Sequence, residues 1–155
     1  MKVIFFISML FFPITCRKSA SMEKDFRHII ERKKQLRVYE IAYSDNNPKN
    51  KLFYKGYSIS GEKLIGRKSI QALAGLIKDS ANYLMDRSQN CVLVAHYGLK
   101  LNDDSLQYRV FIGKQPCLKI LILNEKSNTE TVYDLSDNNS IIPFFDSLFI
   151  KKADH

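Results

Sequence analysis

The sequence contains no Cys-x-x-Cys pair, no Gly-x-Ser-x-Gly elbow, no His-Glu-x-x-His and no pair of carboxylates at a recognisable catalytic spacing. These gaps leave no motif for a structural zinc site, a serine-hydrolase elbow or a zinc protease. Gly61 and Gly66 have the spacing of a phosphate-binding loop, but Arg67 intervenes and Lys68-Ser69 arrives one residue late, so the pattern is discounted. A second long apolar run is also missing. The next most apolar stretch after the N-terminus, residues 117–123, contains Lys119 and has the length of a strand. There is no internal repeat, and no stripe of Arg and Lys with interleaved aromatics. The densest basic run, Arg32-Lys33-Lys34, is short, so no nucleic acid is expected as a partner.

What is present begins with an address. Lys2 supplies a brief positive start, and residues 3–12 are ten residues with only Ser8 polar. That matches the apolar core of a signal peptide and falls short of the roughly 20 residues that cross a bilayer. Pro13 then ends any helix, and Ile14-Thr15-Cys16 follows. This resembles the end of a bacterial lipoprotein signal, in which the cysteine is acylated and becomes the mature N-terminus. Pro13 stands where that pattern prefers Leu, and Ile14 where it prefers a small residue. The alternative is plain cleavage near Ser19 and Ser21. The expected organisation is a signal peptide over 1–16 with Cys16 lipidated, a tether over 17–21 and a single domain over 22–155. The expected place is the periplasm or the outer membrane, held through the lipid, or otherwise the secreted fraction.

The chain carries 24 Lys and Arg against 16 Asp and Glu, a net charge of +8. Loss of residues 1–16 removes only Lys2 among these and leaves +7. Hydrophobic residues make up 45% and charged residues 26%, the balance of a folded protein with one core. The basic surplus favours an acidic protein partner, although the basic residues are scattered along the sequence.

Apolar periodicity predicts a helix over 22–35 and a second over 69–85, the latter with Ile70, Leu73, Leu76, Ile77 and Leu84 on one side. Strands are expected over 38–43 and 52–59 as a hairpin, with Gly61 and Gly66 framing a loop after them. Residues 91–101 read as one long or broken strand with a bulge or bend at Gly98, followed by strands over 107–112, 117–123 and 129–135. The short turns between these imply antiparallel pairing. Residues 141–150 read as a terminal helix that tolerates Pro143 in its first turn. The expected fold class is α+β, an antiparallel sheet of about five to seven strands with helices packed on one face.

With Cys16 set aside for lipid, Cys91 and Cys117 remain as an even pair, which in an oxidising compartment points to a disulfide. The alternatives are two buried thiols, or Cys91 as a nucleophile with His96 as its base. On a regular strand, residues five apart lie on opposite faces unless a bulge intervenes. A site of Cys91, His96 and Cys117 lacks a fourth ligand, so neither a metal nor a cofactor is expected. His28 lies on the first helix beside the apolar stripe, and His155 belongs to the tail.

Cys91, Gly98 and Leu99 keep the spacing of a Cys-x-x-x-Pro-x-His-Gly-Leu/Ile motif, and over residues 69–123 the chain resembles a family of uncharacterised exported bacterial proteins and lipoproteins that carry it. Ala95 stands in the place of the proline and Tyr97 in the place of the histidine, with His96 one position early, so no role of that histidine passes to His96. The resemblance implies export and this architecture and supplies no reaction. The function class that follows is a non-catalytic envelope interaction protein, such as a periplasmic immunity or inhibitor protein or an accessory lipoprotein. A thiol-dependent hydrolase using Cys91 and His96 is the alternative, and a structural subunit held at a membrane surface a third.

Overall fold

The computed structural model describes residues 20–43, 51–84, 89–102 and 107–150. Residues 1–19, with Cys16 and most of the expected tether, the Ser44–Pro48 breaker cluster, the Asp103-Asp104 turn and His155 lie outside the described residues, whereas Ala20 and Ser21, expected in the tether, open the first helix. Helix α1 (Ala20–Arg32) leads into β1 (Gln35–Tyr43), β2 (Leu52–Tyr54) and β3 (Tyr57–Gly66), and then α2 (Arg67–Lys78). After a 3-10 turn at Ser80–Asn82 come β4 (Ala95–Asn102), β5 (Gln107–Gly113), β6 (Lys119–Asn124), β7 (Thr129–Asp134) and α3 (Ile141–Phe149). All seven strands form one antiparallel sheet in the order β2-β3-β1-β4-β5-β6-β7. The fold is α+β, as the pattern of short turns predicts.

The helices share one face of the sheet. Phe26, Ile29 and Ile30 of α1, Ile70, Leu73 and Ile77 of α2, and Ile141 and Phe145 of α3 are buried against Val38, Leu99, Leu101, Val110, Ile112 and Ile120. These side chains recur at helical and at alternating spacing respectively, which is how a helix stripe and a strand face come to match. Each large apolar side chain so buried contributes about 1.5–3 kcal/mol. Among the described residues no helix is long and apolar enough to cross a membrane.

Three local expectations are corrected. Residues 52–59 are two strands, because Lys55-Gly56 turn the chain back so that Tyr54 pairs with Tyr57. Gly56 has φ +74°, which glycine adopts without strain. Gly61 and Gly66 therefore lie within β3, with Ser60 as an extra residue opposite Glu40–Ile41, and do not frame a loop. The second helix stops at Lys78, well before residue 85. The Asp79 carboxylate accepts from the Ala81 backbone N–H at 3.0 Å and starts the 3-10 turn. Buried Asn82 then ties that turn to both neighbouring helices, donating to the Leu76 carbonyl at 2.8 Å and accepting from the Ser140 N–H at 2.6 Å.

The third correction concerns β4. Gly98 is in regular register between Tyr39 and Phe111, and the bulge falls at His96, which is unpaired while Ala95 faces Gly113 and Tyr97 faces Ile112. Gly98 is needed for a different reason. The sheet curls until Phe53 of β2 lies on the bare backbone of β4, and a Cβ at position 98 would stand 2.4 Å from the Phe53 ring. The ring also meets Phe111 edge-on at 5.4 Å between centroids. We predict that Gly98→Ala lowers stability by about 1–3 kcal/mol through overpacking. Phe53→Ala costs about 3–5 kcal/mol. The double variant should be no less stable than Phe53→Ala alone, because the ring that clashes is gone. Urea midpoints of the three variants check this, and additive losses would contradict the packing described.

Candidate functional site

Cys91 and Cys117 are joined in a disulfide with their Cα atoms 5.8 Å apart and a sequence separation of 26. Neither begins a strand. Cys91 lies four residues ahead of β4 and Cys117 two ahead of β6, so the bond joins two loops where the starts of two strands were expected. The first loop, residues 89–94, is held a second time by Lys119, whose ammonium donates to the carbonyls of Gln89 at 2.6 Å and Cys91 at 3.1 Å. Lys119 also pairs with buried Asp134 at 3.6 Å. Gly113 lets the loop approach closely, since a Cβ there would stand 2.5 Å from Leu93 and 2.6 Å from the Cys117 carbonyl. The pinned loop presents two apolar side chains to solvent, Val92 at 85% and Val94 at 52% exposure.

The Cys91/His96 nucleophile reading loses its nucleophile in this arrangement. A disulfide sulfur has no thiolate to offer, and thiolate is the reactive form. His96 sits on the β4 bulge with Nδ1 3.1 Å from the Val94 carbonyl oxygen. His28 is exposed on α1. Among the described residues no group of three or more His, Cys, Asp or Glu is placed to hold a metal ion.

The second loop opens onto a cleft of about 300 Å³ between the β5–β6 turn and α3, with Lys114, Asp137, Asn139 and Asp146 around an apolar floor of Leu118 and Ile142. Asn139 is committed to the fold, its carbonyl accepting from the Ile142 N–H at 3.0 Å and its amide donating to Ser136 at 2.7 Å. At one wall Tyr97 donates its hydroxyl to Asp146 Oδ1, and Lys114 pairs with the same oxygen at 2.5 Å. The Lys114 ammonium lies 4.8 Å from the centroid of the Tyr97 ring, which is itself stacked with Phe145 and Phe149. Tyr97, Lys114 and Asp146 come from β4, the β5–β6 turn and α3, and no local spacing in the sequence joins them.

The protons of this trio are fixed. Burial pushes the Tyr97 hydroxyl up to about 12, and its hydrogen bond to Asp146 adds to the rise. For Asp146, burial alone would raise the carboxyl, but hydrogen bonds from Lys114 and Tyr97 outweigh it and hold the group below its ordinary value. For Lys114, burial would lower the ammonium, but Asp146 and Tyr97 outweigh it and raise the group. Each shift moves away from neutrality, which suits a fixed structural charge and not a proton-transfer group. Asp137 is the cleft carboxylate outside the trio.

Set against protein-family models, curated proteins and solved structures, the chain matches none of them.

Two measurements follow from the site. Tyr97 ionises at 10.0 when unfolded and at about 12 when folded, so its contribution is complete below pH 10 and is lost between pH 10 and 12. The stability advantage of the native protein over Tyr97→Phe should be constant from pH 7 to 9 and narrow above pH 10. Urea midpoints across this range test it, and a gap independent of pH would refute the hydrogen bond. Reducing the disulfide should cost about 3 kcal/mol in the chain-entropy account of a loop this long. Oxidised native protein should take up no thiol label at Cys91 or Cys117.

Proposed function

We propose that this chain is an exported envelope protein, tethered to a membrane through a lipid on Cys16, whose folded part works by binding a protein partner. The observation that carries the reading is the Cys91–Cys117 disulfide. Such bonds persist in oxidising compartments and are reduced in the cytosol, and this one accompanies a leading segment with the order of an export signal. The location follows from the signal, being periplasmic or outer-membrane-associated, or secreted where cleavage occurs without lipid.

Binding in place of catalysis is supported by what the disulfide holds in place. A doubly pinned loop that exposes Val92 and Val94 is a surface with little conformational freedom to lose on association, the condition that favours affinity. The adjacent trio supplies fixed charges with protons set away from neutral pH. An immunity or inhibitor protein and an accessory lipoprotein both have this character. The hydrolase alternative needs an open disulfide and no arrangement at His96 favours it.

Intact-mass analysis of membrane-extracted protein tests the reading. The expected product begins at Cys16 with acyl chains attached and has Cys91 joined to Cys117. A cytosolic product that begins at Met1 with both later sulfurs reduced would overturn it.

A further inference from the structure

The fold concentrates charge that the sequence scatters. Gln35 at the start of β1 pairs with Gly66 at the end of β3, so the run Arg32-Lys33-Lys34 that closes α1 is brought beside Arg67-Lys68 that opens α2. Four of these five cations are exposed and Lys33 is half-buried. Among the described residues none of the five is ion-paired. The nearest carboxylates on the same elements are occupied, Glu31 by Arg27 at 3.5 Å and Glu62 by Arg37 at 2.6 Å. Asp103 and Asp104, which follow Asn102 in sequence, lie outside the described residues. From residue 63 to residue 78 there is no acidic residue at all. The first turn of α2 therefore has no acid to oppose its positive end, and Gly66 offers no side-chain cap to the free N–H groups. The junction is also held in shape, since Lys33 reaches across to the Asn102 carbonyl at 2.5 Å and fastens the end of α1 to the end of β4.

We infer that this basic junction is the docking surface for an acidic face of a protein partner, which names the partner chemistry of the binding role proposed above and rests on it. Charge complementarity selects the partner's sign. Two features favour protein over the other polyanions. The junction carries no aromatic side chain on which nucleic-acid bases could stack. It also closes α1 at the end opposite to the tether. The thirteen residues of that helix rise by about 20 Å, whereas lipid-binding basic segments adjoin their anchor.

The test uses oxidised, full-chain protein and poly-L-glutamate as the probe, with vesicles of phosphatidylglycerol and phosphatidylethanolamine in parallel. Arg67→Glu/Lys68→Glu reverses two charges of the junction, and acids at a helix start favour folding, so this variant remains folded. Lys51→Glu/Lys55→Glu makes the same change in net charge at exposed positions around β2. The junction variant should lose roughly tenfold or more in polyglutamate affinity and most of its salt dependence, and the β2 variant less than about twofold. Equal losses in the two variants would overturn the inference, because net charge alone would then be acting. A larger loss of vesicle binding than of polyglutamate binding in the junction variant would overturn it in favour of a membrane surface, since binding through the N-terminal anchor is the same in both proteins. Neither result depends on the product mass or thiol state that tests the exported, lipid-anchored reading, so the two can fail separately.

Discussion

One extra residue in β4 governs which chemistry reaches the cleft. In a regular strand Ala95 and Tyr97 would share a face, being two apart. With His96 bulged out of the ladder, Ala95 turns to the face without helices and Tyr97 turns to the helices. That switch delivers the Tyr97 hydroxyl to Asp146 and its ring to Phe145 and Phe149. It leaves Ala95 backed onto Gly113, beside the loop that the disulfide pins. The place of Tyr97 at the cleft wall is thus a consequence of this single irregularity, and His96 matters through its place in the backbone.

The face that the helices leave uncovered is closed by the sheet itself. Phe53 swings over Gly98 as β2 curls inward, and Tyr39, Tyr57 and Phe111 gather around it. Two cations finish the cover. Lys100 lies 5.4 Å from the Tyr39 ring and 5.1 Å from the Phe53 ring, and Arg109 lies 5.3 Å from Tyr54 while donating to the Phe53 carbonyl. Burial and the neighbouring Arg109 both lower the Lys100 ammonium, so the ring faces offset part of what desolvation costs the charge. This explains how a sheet with helices on one side only keeps aromatic side chains dry on the other.

Much of this fold was legible because it rests on local periodicity. The strand spacing implied antiparallel pairing, and the apolar stripe with Pro143 in its first turn marked α3, since both signals come from neighbours in the chain. The misreadings share a different cause. Lys55-Gly56 sits inside a run of β-formers, and only the positive φ at Gly56 reveals the turn. Asp79 looks compatible with a continuing helix until its side chain finds the Ala81 N–H. Of the candidate site, the cysteine pairing could be anticipated by counting. Tyr97 could not, because its partner is 49 residues away and its motif position pointed to a histidine that this chain lacks. The basic junction was hidden for the same reason, as two unremarkable runs become one surface only through the Gln35–Gly66 register.

That register also fixes where the surfaces lie relative to each other. Val38 pairs with Leu99 and Glu40 with Tyr97, so β4 runs from the pinned loop at Ala95 towards the end of the sheet at which β1 starts and β3 finishes. Lys33 bound to the carbonyl of Asn102 confirms that the basic junction is at that far end. The eight residues of β4 span about 23 Å, so the apolar loop and the cationic surface cannot both belong to one small-molecule pocket. A single macromolecular partner would have to lie along the sheet to touch both. Charge acts over about a Debye length and apolar contact only at the surface, so in the binding role proposed above the cationic end would draw a partner in and the pinned loop would retain it. A rigid sheet between the two, with its bulge and its curl set by packing, is what keeps that separation fixed.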